Sequence, residues 1–155
     1  MSMLIDRIHD PHDGRLTALL AKSDAYLDAL YPPESNHTEP LAVLVQPGSA
    51  FFAGFINDVA VACGAVKEAN DDIRYAEVKR LFVDDDYRGR NLAVLMMEYL
   101  ERFVRARGIA MVRLEAGPLQ PAALGLYRRL GYHERGPFAG YVADPLSIFM
   151  EKALV

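Results

Sequence analysis

One segment constrains this chain more than any other. From Ile73 an apolar run reaches Val83 and stops at three aspartates, Asp84-Asp85-Asp86. The basic, glycine-containing loop Arg88-Gly89-Arg90-Asn91 follows, and then a helix. Leu92, Leu95, Met96, Tyr99, Leu100 and Phe103 recur at helical spacing and make one apolar stripe, with Glu98, Glu101, Arg102 and Arg105 opposite. Gly108 stands where a C-terminal cap belongs. Met111–Ala116 then reads as a buried strand, so strand, helix and strand should form a right-handed parallel crossover.

Around this unit the chain predicts a first strand over Met3–Ile8 and a helix over Gly14–Leu30 that could split near Lys22-Ser23. Tyr31-Pro32-Pro33 ends that helix, because proline supplies no N–H and disfavours helical geometry in the residue before it. A polar loop occupies Pro32–Pro40. Ala50–Ile56 and Val59–Lys67 read as two strands joined at Asn57-Asp58, a hairpin turn, with a polar break at Glu68–Asp72. A shorter helix covers Pro121–Leu130, with Gly131 as its cap. Tyr132–Arg135 and Ser147–Lys152 read as closing strands. The expected fold is α+β: a single mixed, mainly antiparallel sheet of roughly seven strands, flanked by helices, with the parallel unit at its centre.

Bulk numbers narrow the class. With 155 residues, 52% hydrophobic and 25% charged, the chain fits one packed domain over 1–155. A net charge of −4 argues against a nucleic-acid partner, since such surfaces are usually basic. No apolar run approaches the ~20 residues of a membrane span, and the N-terminus lacks the pattern of a signal peptide. Cys63 is the only cysteine, which excludes an internal disulfide and suits a reducing, cytoplasmic setting.

The loop is where chemistry concentrates. Backbone N–H groups at a helix start point outward unpaired, and the helix dipole adds partial positive charge, so a pyrophosphate suits this junction. Gly89 permits close approach, and Arg88 and Arg90 can add charged donors. A basic turn that merely starts a structural helix is the plainer alternative. No Gly-Lys-Ser/Thr ending is present, and no three-glycine dinucleotide pattern, so two familiar phosphate loops are excluded.

The segment Glu77-Val-Lys-Arg-Leu-Phe-Val-Asp-Asp-Asp-Tyr-Arg-Gly-Arg-Asn-Leu-Ala93 resembles the signature of the GNAT N-acetyltransferases, in which a strand is followed by Arg/Gln-x-x-Gly-x-Gly/Ala. A second stretch, Gln120-Pro-Ala-Ala-Leu-Gly-Leu-Tyr-Arg-Arg-Leu-Gly-Tyr132, is similar to the family's Asn-x-x-Ala-x-x-Leu-Tyr-x-x-x-Gly-Phe. The departures are Asn91 in place of the motif's internal glycine, with Ala93 at its Gly/Ala position, and Gln120 in place of asparagine.

This resemblance implies acetyl-CoA as co-substrate. Its pyrophosphate would lie on the amides of Arg88, Gly89, Arg90, Asn91, Leu92 and Ala93. Its pantetheine arm would pair with the backbone of Leu81, Phe82 and Val83, and Gln120 would stand at the second motif. It also implies direct transfer to a primary amine of a small molecule or protein. Glu77 would then be the strand carboxylate acting as base, Tyr127 the acid for the leaving thiolate, and an N–H near Leu81 the donor to the thioester oxygen. Arg80 breaks the strand's alternation, a hint of a bulge that would free such a group. Homodimers are common among similar proteins.

Each assignment has a plainer competitor. Glu77 could be an exposed strand glutamate paired with Lys79, and Tyr127 a core residue beside Ala123 and Leu130. A non-catalytic, CoA-sensing module would keep the loop without turnover. Cys63 reads as core, His9, His12, Asp10 and Asp13 as loop polarity, and Arg128 and Arg129 as a solvated helix face that could also reach CoA phosphates. By the same resemblance, Glu34–His37 and Phe138–Pro145, with Tyr31, His37, Phe138 and Tyr141, would border the amine acceptor.

Overall fold

The computed structural model describes residues 2–155. In chain order its strands are β1 (Leu4–Ile8), β2 (Ser49–Ile56), β3 (Val59–Asn70), β4 (Arg74–Val83), β5 (Met111–Ala116), β6 (His133–Arg135) and β7 (Ile148–Ala153). Its helices are α1 (Thr17–Leu30), α2 (Leu41–Leu44), α3 (Leu92–Ala106) and α4 (Pro121–Arg129). The sheet runs β1-β2-β3-β4-β5-β7-β6 and is antiparallel except for the β4–β5 pair. The mixed sheet of the sequence reading is therefore the sheet observed.

β2 and β3 are nearly continuous apolar runs because both sheet faces are covered. Phe52, Val61 and Val66 meet α3 and α4 residues on one face. Phe51, Ala53 and Cys63 meet Leu16, Leu19 and Leu44 on the other. The β2–β3 turn sits at Asn57 and Asp58, both with positive φ, as a two-residue hairpin demands.

Local expectations shift in several places. α1 is unbroken from Thr17 to Leu30. β3 continues through the polar Glu68–Asn70 because Glu68 is held by Arg74 and Arg107, each 3.0 Å away. The buried face of α3 is also rotated from the expected stripe: Met97 and Val104 are fully packed while Leu95 is 45% exposed. Glu101, expected on the solvent face, is buried. It accepts a hydrogen bond from the Tyr132 hydroxyl at 2.8 Å and another from Lys152 at 2.9 Å. Tyr132, beyond the end of α4, and Lys152 of β7 reach that flank of the helix, so the buried carboxylate is satisfied internally.

Two irregularities in β4 shape the function. Arg80 has φ 57°, and the β3–β4 register slips between Cys63 and Ala65, which makes the expected bulge. Because of the extra residue, Glu77 and Lys79 face the side of the sheet away from α3, whereas Leu81 and Val83 beyond the bulge pack with the α3 side. The Cys63 thiol, buried and pushed up to about 12 by that burial, donates to the Arg80 carbonyl at 3.2 Å. In addition, the β4–β5 pairing covers only Ala76↔Val112, Glu77↔Arg113 and Val78↔Leu114. Beyond it the strands part, and Lys79–Val83 have β3 on one side and a gap on the other. Arg113 pins the closed end of the V. Its guanidinium bonds Asp72 at 2.7 and 2.9 Å and Glu151 at 3.0 Å, and lies 4.5 Å from the centre of the Tyr75 ring.

Candidate active site

The gap between β4 and β5 is part of one continuous cleft of about 680 Å³. Val78–Val83 of β4 form one wall, Glu115–Gly117 the opposite one, and the loop into α3 and the start of α4 close one end. Its size and mixed lining suit a co-substrate and an acceptor lying end to end.

The end of the cleft at the 88–93 loop is built from backbone conformation. Gly89 has φ 79° and Asn91 φ 59°, and Asn91 is the N-cap residue of α3. Asparagine tolerates this left-handed geometry, which accounts for its presence where glycine is usual. Its side chain makes no cap hydrogen bond, and the residue lines the cleft. A Cβ on Gly89 would meet no atom within 4 Å, so the space over that amide is open. Arg88 lines the cleft and is tied to Asp85 at 2.8 Å. Leu92 and Ala93 line it as well. Arg90 does not: it points along the surface beside the Tyr87 ring, 5.1 Å from its centre. The α4 residue Arg129 is exposed, as a solvated helix face should be, and also lines the cleft.

In the middle of the cleft the unpaired edge of Leu81, Phe82 and Val83 faces α4. Tyr127 lines the cavity there, buried, its ring edge-on to Tyr132 at 5.9 Å. Among the described residues its hydroxyl has no hydrogen-bond partner. Burial, with some help from Glu115, raises its pKa and keeps the phenol protonated. Gln120 accepts a 3.2 Å bond from the Tyr31 hydroxyl, which in turn accepts from the N–H of Leu119. Tyr31, expected near the acceptor, thus braces the start of α4.

The far end is polar and enclosed. Glu77 is 5% exposed, and its Oε2 accepts from the Tyr141 hydroxyl at 2.8 Å. Lys79 Nζ donates to that same hydroxyl at 2.9 Å and lies 3.6 Å from Glu77. Burial pushes the Glu77 carboxyl above its ordinary value, with Lys79 and Tyr141 partly opposing the rise. The surface-pair alternative therefore fails: Glu77 does meet Lys79, but inside the molecule. His37 stacks 5.0 Å from Tyr141 and lines the cleft. Phe138, expected to shape a pocket, packs behind it in an aromatic cluster with Tyr75 and Phe149.

The sequence reading missed Glu115. It closes β5 opposite the bulge, lines the cleft, and its carboxyl is raised chiefly by burial. Its position among apolar neighbours in Met111–Ala116 was the available signal, because a carboxylate inside a buried strand needs a reason. Among the described residues no group of three or more His, Cys, Asp and Glu could hold a metal ion, and no helix is long and apolar enough to cross a membrane.

Comparison with known proteins agrees with this geometry. A model of the acetyltransferase (GNAT) family matches residues 16–132. An IAA acetyltransferase of Azospirillum brasilense is 39% identical over 93% of this chain and 94% of its own length. YsnE of Bacillus subtilis, an uncharacterized N-acetyltransferase, is 29% identical over 96% and 98%. A Klebsiella pneumoniae structure assigned to the acyl-CoA N-acyltransferases superposes with TM-score 0.79 at 34% identity, covering 99% of this chain and 98% of that one. The PaiA N-acetyltransferase of Thermoplasma acidophilum, solved with coenzyme A, shares the fold at TM-score 0.74 and 16% identity, covering 99% of both chains.

Proposed function

The chain belongs to the acetyltransferase (GNAT) family, and from that premise we propose that it moves an acetyl group directly to an amine, with Glu77 as base and Tyr127 as acid. It is an acyl-CoA-dependent acyltransferase with acetyl-CoA as co-substrate. Residues 1–155 act as a single domain in this reading. When bound, acetyl-CoA supplies an activated thioester, and the chain's own groups do the rest.

The open amides of the 88–93 loop, with Arg88 and Arg129, hold the diphosphate. The unpaired edge Leu81–Val83 accepts the pantetheine amides as a neighbouring strand would. The Arg80 bulge turns a backbone N–H near Leu81 toward the thioester oxygen, an arrangement worth roughly 3–4 kcal/mol where such donors have been removed elsewhere. A lysine-like amine has a pKa near ~10.4 and arrives protonated at neutral pH. Glu77, enclosed and raised, takes one proton from the ammonium before attack and so frees the nitrogen lone pair; the second proton, shed after the N–C bond forms, replaces the one that Tyr127 gives up as the C–S bond breaks. Tyr127, protonated and without a partner for its hydroxyl, donates to the departing sulfur. Cys63 takes no part as a nucleophile, since its thiol is buried and spent on the Arg80 carbonyl.

The observation that carries this reading is the shared cleft: Tyr127 and Glu77 line the same cavity as the open loop and the free β4 edge. Amine-dependent CoA release from acetyl-CoA, measured against an amine panel beside calorimetry of CoA binding, tests it. Binding together with transfer to some amines is expected. Binding without transfer to any amine would instead make the chain a CoA sensor, and absence of binding would refute the reading whole.

A further inference from the structure

The acceptor end of the cleft carries more charge than removing a proton from an amine requires. Glu77, Glu115 and Glu39 line it together with Lys79, Arg80 and His37, and Lys67 reaches Glu39 from behind at 2.8 Å. A pocket made only for a cation would not hold Lys79. Its side chain is 7% exposed, and an ammonium so placed repels an incoming one.

These groups are also incompletely matched. Lys79 has three N–H donors and makes one hydrogen bond, to Tyr141; Glu77 at 3.6 Å and Glu39 at 3.9 Å lie beyond hydrogen-bond range. Arg80, with a side chain 6% exposed, donates through Nη1 to the Glu39 carbonyl at 3.3 Å. Its Nη2 lies 2.9 Å from Asp24, yet neither Nη2 nor Nε completes a hydrogen bond. Opposite in sign, Glu39 Oε2 is buried without a donor. Buried polar atoms left unmatched are costly and rare. Here Lys79 has N–H donors to spare, and the enclosed, unmatched Arg80 and Glu39 atoms lie in the same wall; with a small shift of those two side chains, a ligand bearing both charges would complete the set.

We propose that the acceptor is a carboxylate-bearing amine, an amino acid in the broad sense, whose carboxylate docks on Lys79 and Arg80 while its amine is held among Glu77, Glu115 and Glu39. The inference rests on the reading of Glu77 as the base of acetyl transfer. It adds what the other end of the acceptor must be. Lys79 then has two duties: it restrains Glu77 and it selects the substrate. An acceptor without the carboxylate leaves the Lys79 and Arg80 donors buried and unanswered, which is how sites of this kind discriminate.

The experiment compares the twenty standard L-amino acids, each against its own α-amide, by amine-dependent CoA release. The amide keeps side chain and amine and removes only the anion. Its amine also has a pKa of about 7.7–8.0 or near it and loses its proton more readily, so intrinsic reactivity runs against the expected result. For the amino acids that are turned over, wild type should favour acid over amide by on the order of 10²-fold in kcat/KM. In Lys79→Gln and Arg80→Gln this ratio should fall toward one, with KM for the acid rising. Because the readout is a ratio within each variant, any shared loss of catalysis cancels. Equal turnover of acids and amides by wild type overturns the inference while leaving acetyl transfer intact, and so does a full preference kept in both variants. Turnover only of amines outside both series overturns the inference alone, whereas CoA binding with turnover of no amine, in these series or in the amine panel, refutes the underlying reading and the inference with it.

Discussion

Asn91 is the residue at which this chain departs most from the loop pattern it resembles, and its backbone makes a quantitative test possible. At φ 59° and ψ 22° it is left-handed, a geometry that costs an ordinary L-residue roughly 1–2 kcal/mol and glycine nothing. Asparagine pays less than alanine, and its side chain makes no cap bond, so replacing it removes no contact at the helix start. Asn91→Ala should therefore cost the difference between the two, about 1 kcal/mol, through the backbone. If the loop keeps its shape without ligand, the loss appears in unfolding free energy. If alanine lets the free loop relax, the loss moves to CoA affinity, about fivefold in Kd, since 1.4 kcal/mol is tenfold. The sum of the two is the predicted quantity, read by urea unfolding and calorimetry on one protein sample. Asn91→Gly should change the sum by less than about 1 kcal/mol, because relief of residual strain offsets the added freedom of the unfolded chain. An alanine variant unchanged in both measurements would refute the reasoning. So would a glycine variant as impaired as the alanine one, since the side chain rather than the backbone would then be at work.

Three further outcomes are expected. The acidic limb of kcat/KM should lie above the ordinary glutamate value of 4.5, because Glu77 must lose its proton to act and burial holds that proton on; Glu77→Gln should abolish the limb and lower kcat by about 10²–10⁴-fold. A limb that survives in Glu77→Gln assigns the base elsewhere, with Glu115 the next carboxylate in the cleft. Tyr127→Phe should lower kcat by on the order of 10²-fold or more with CoA affinity kept, as only a hydroxyl without a protein partner is removed; equal turnover would make the ring a packing residue. Gly117→Ala should destabilise by about 1–3 kcal/mol in urea, because a Cβ there would overlap the Tyr31 hydroxyl and displace the brace at the start of α4.

Much of this protein follows from local pattern. Apolar runs, helical spacing at Leu92–Phe103, proline at 32–33 and the Asn57-Asp58 turn determine the elements and their order, since each depends on neighbours only a few residues away. The Arg80 bulge is likewise visible, as a break in two-residue alternation. The loop at 88–91 announces an anion site because backbone shape at Gly89 and a helix start are properties of a short segment. Other features arise only when distant segments meet. That β4 and β5 part after Val78 depends on how β5 pairs with β7 along its other edge, and no local residue encodes it. The inward turn of Glu101 depends on Tyr132 and Lys152, and the exposure of Leu95 on where α3 rests. The acceptor end depends most on such meetings: Glu77, Lys79 and Arg80 come from β4, Glu115 from β5, Glu39 from the segment before α2, and Tyr141 from the loop before β7. Whether Lys79 is a surface lysine or a buried, half-satisfied cation is decided by that enclosure, because burial and unmatched donors belong to the assembled cavity and not to any stretch of sequence.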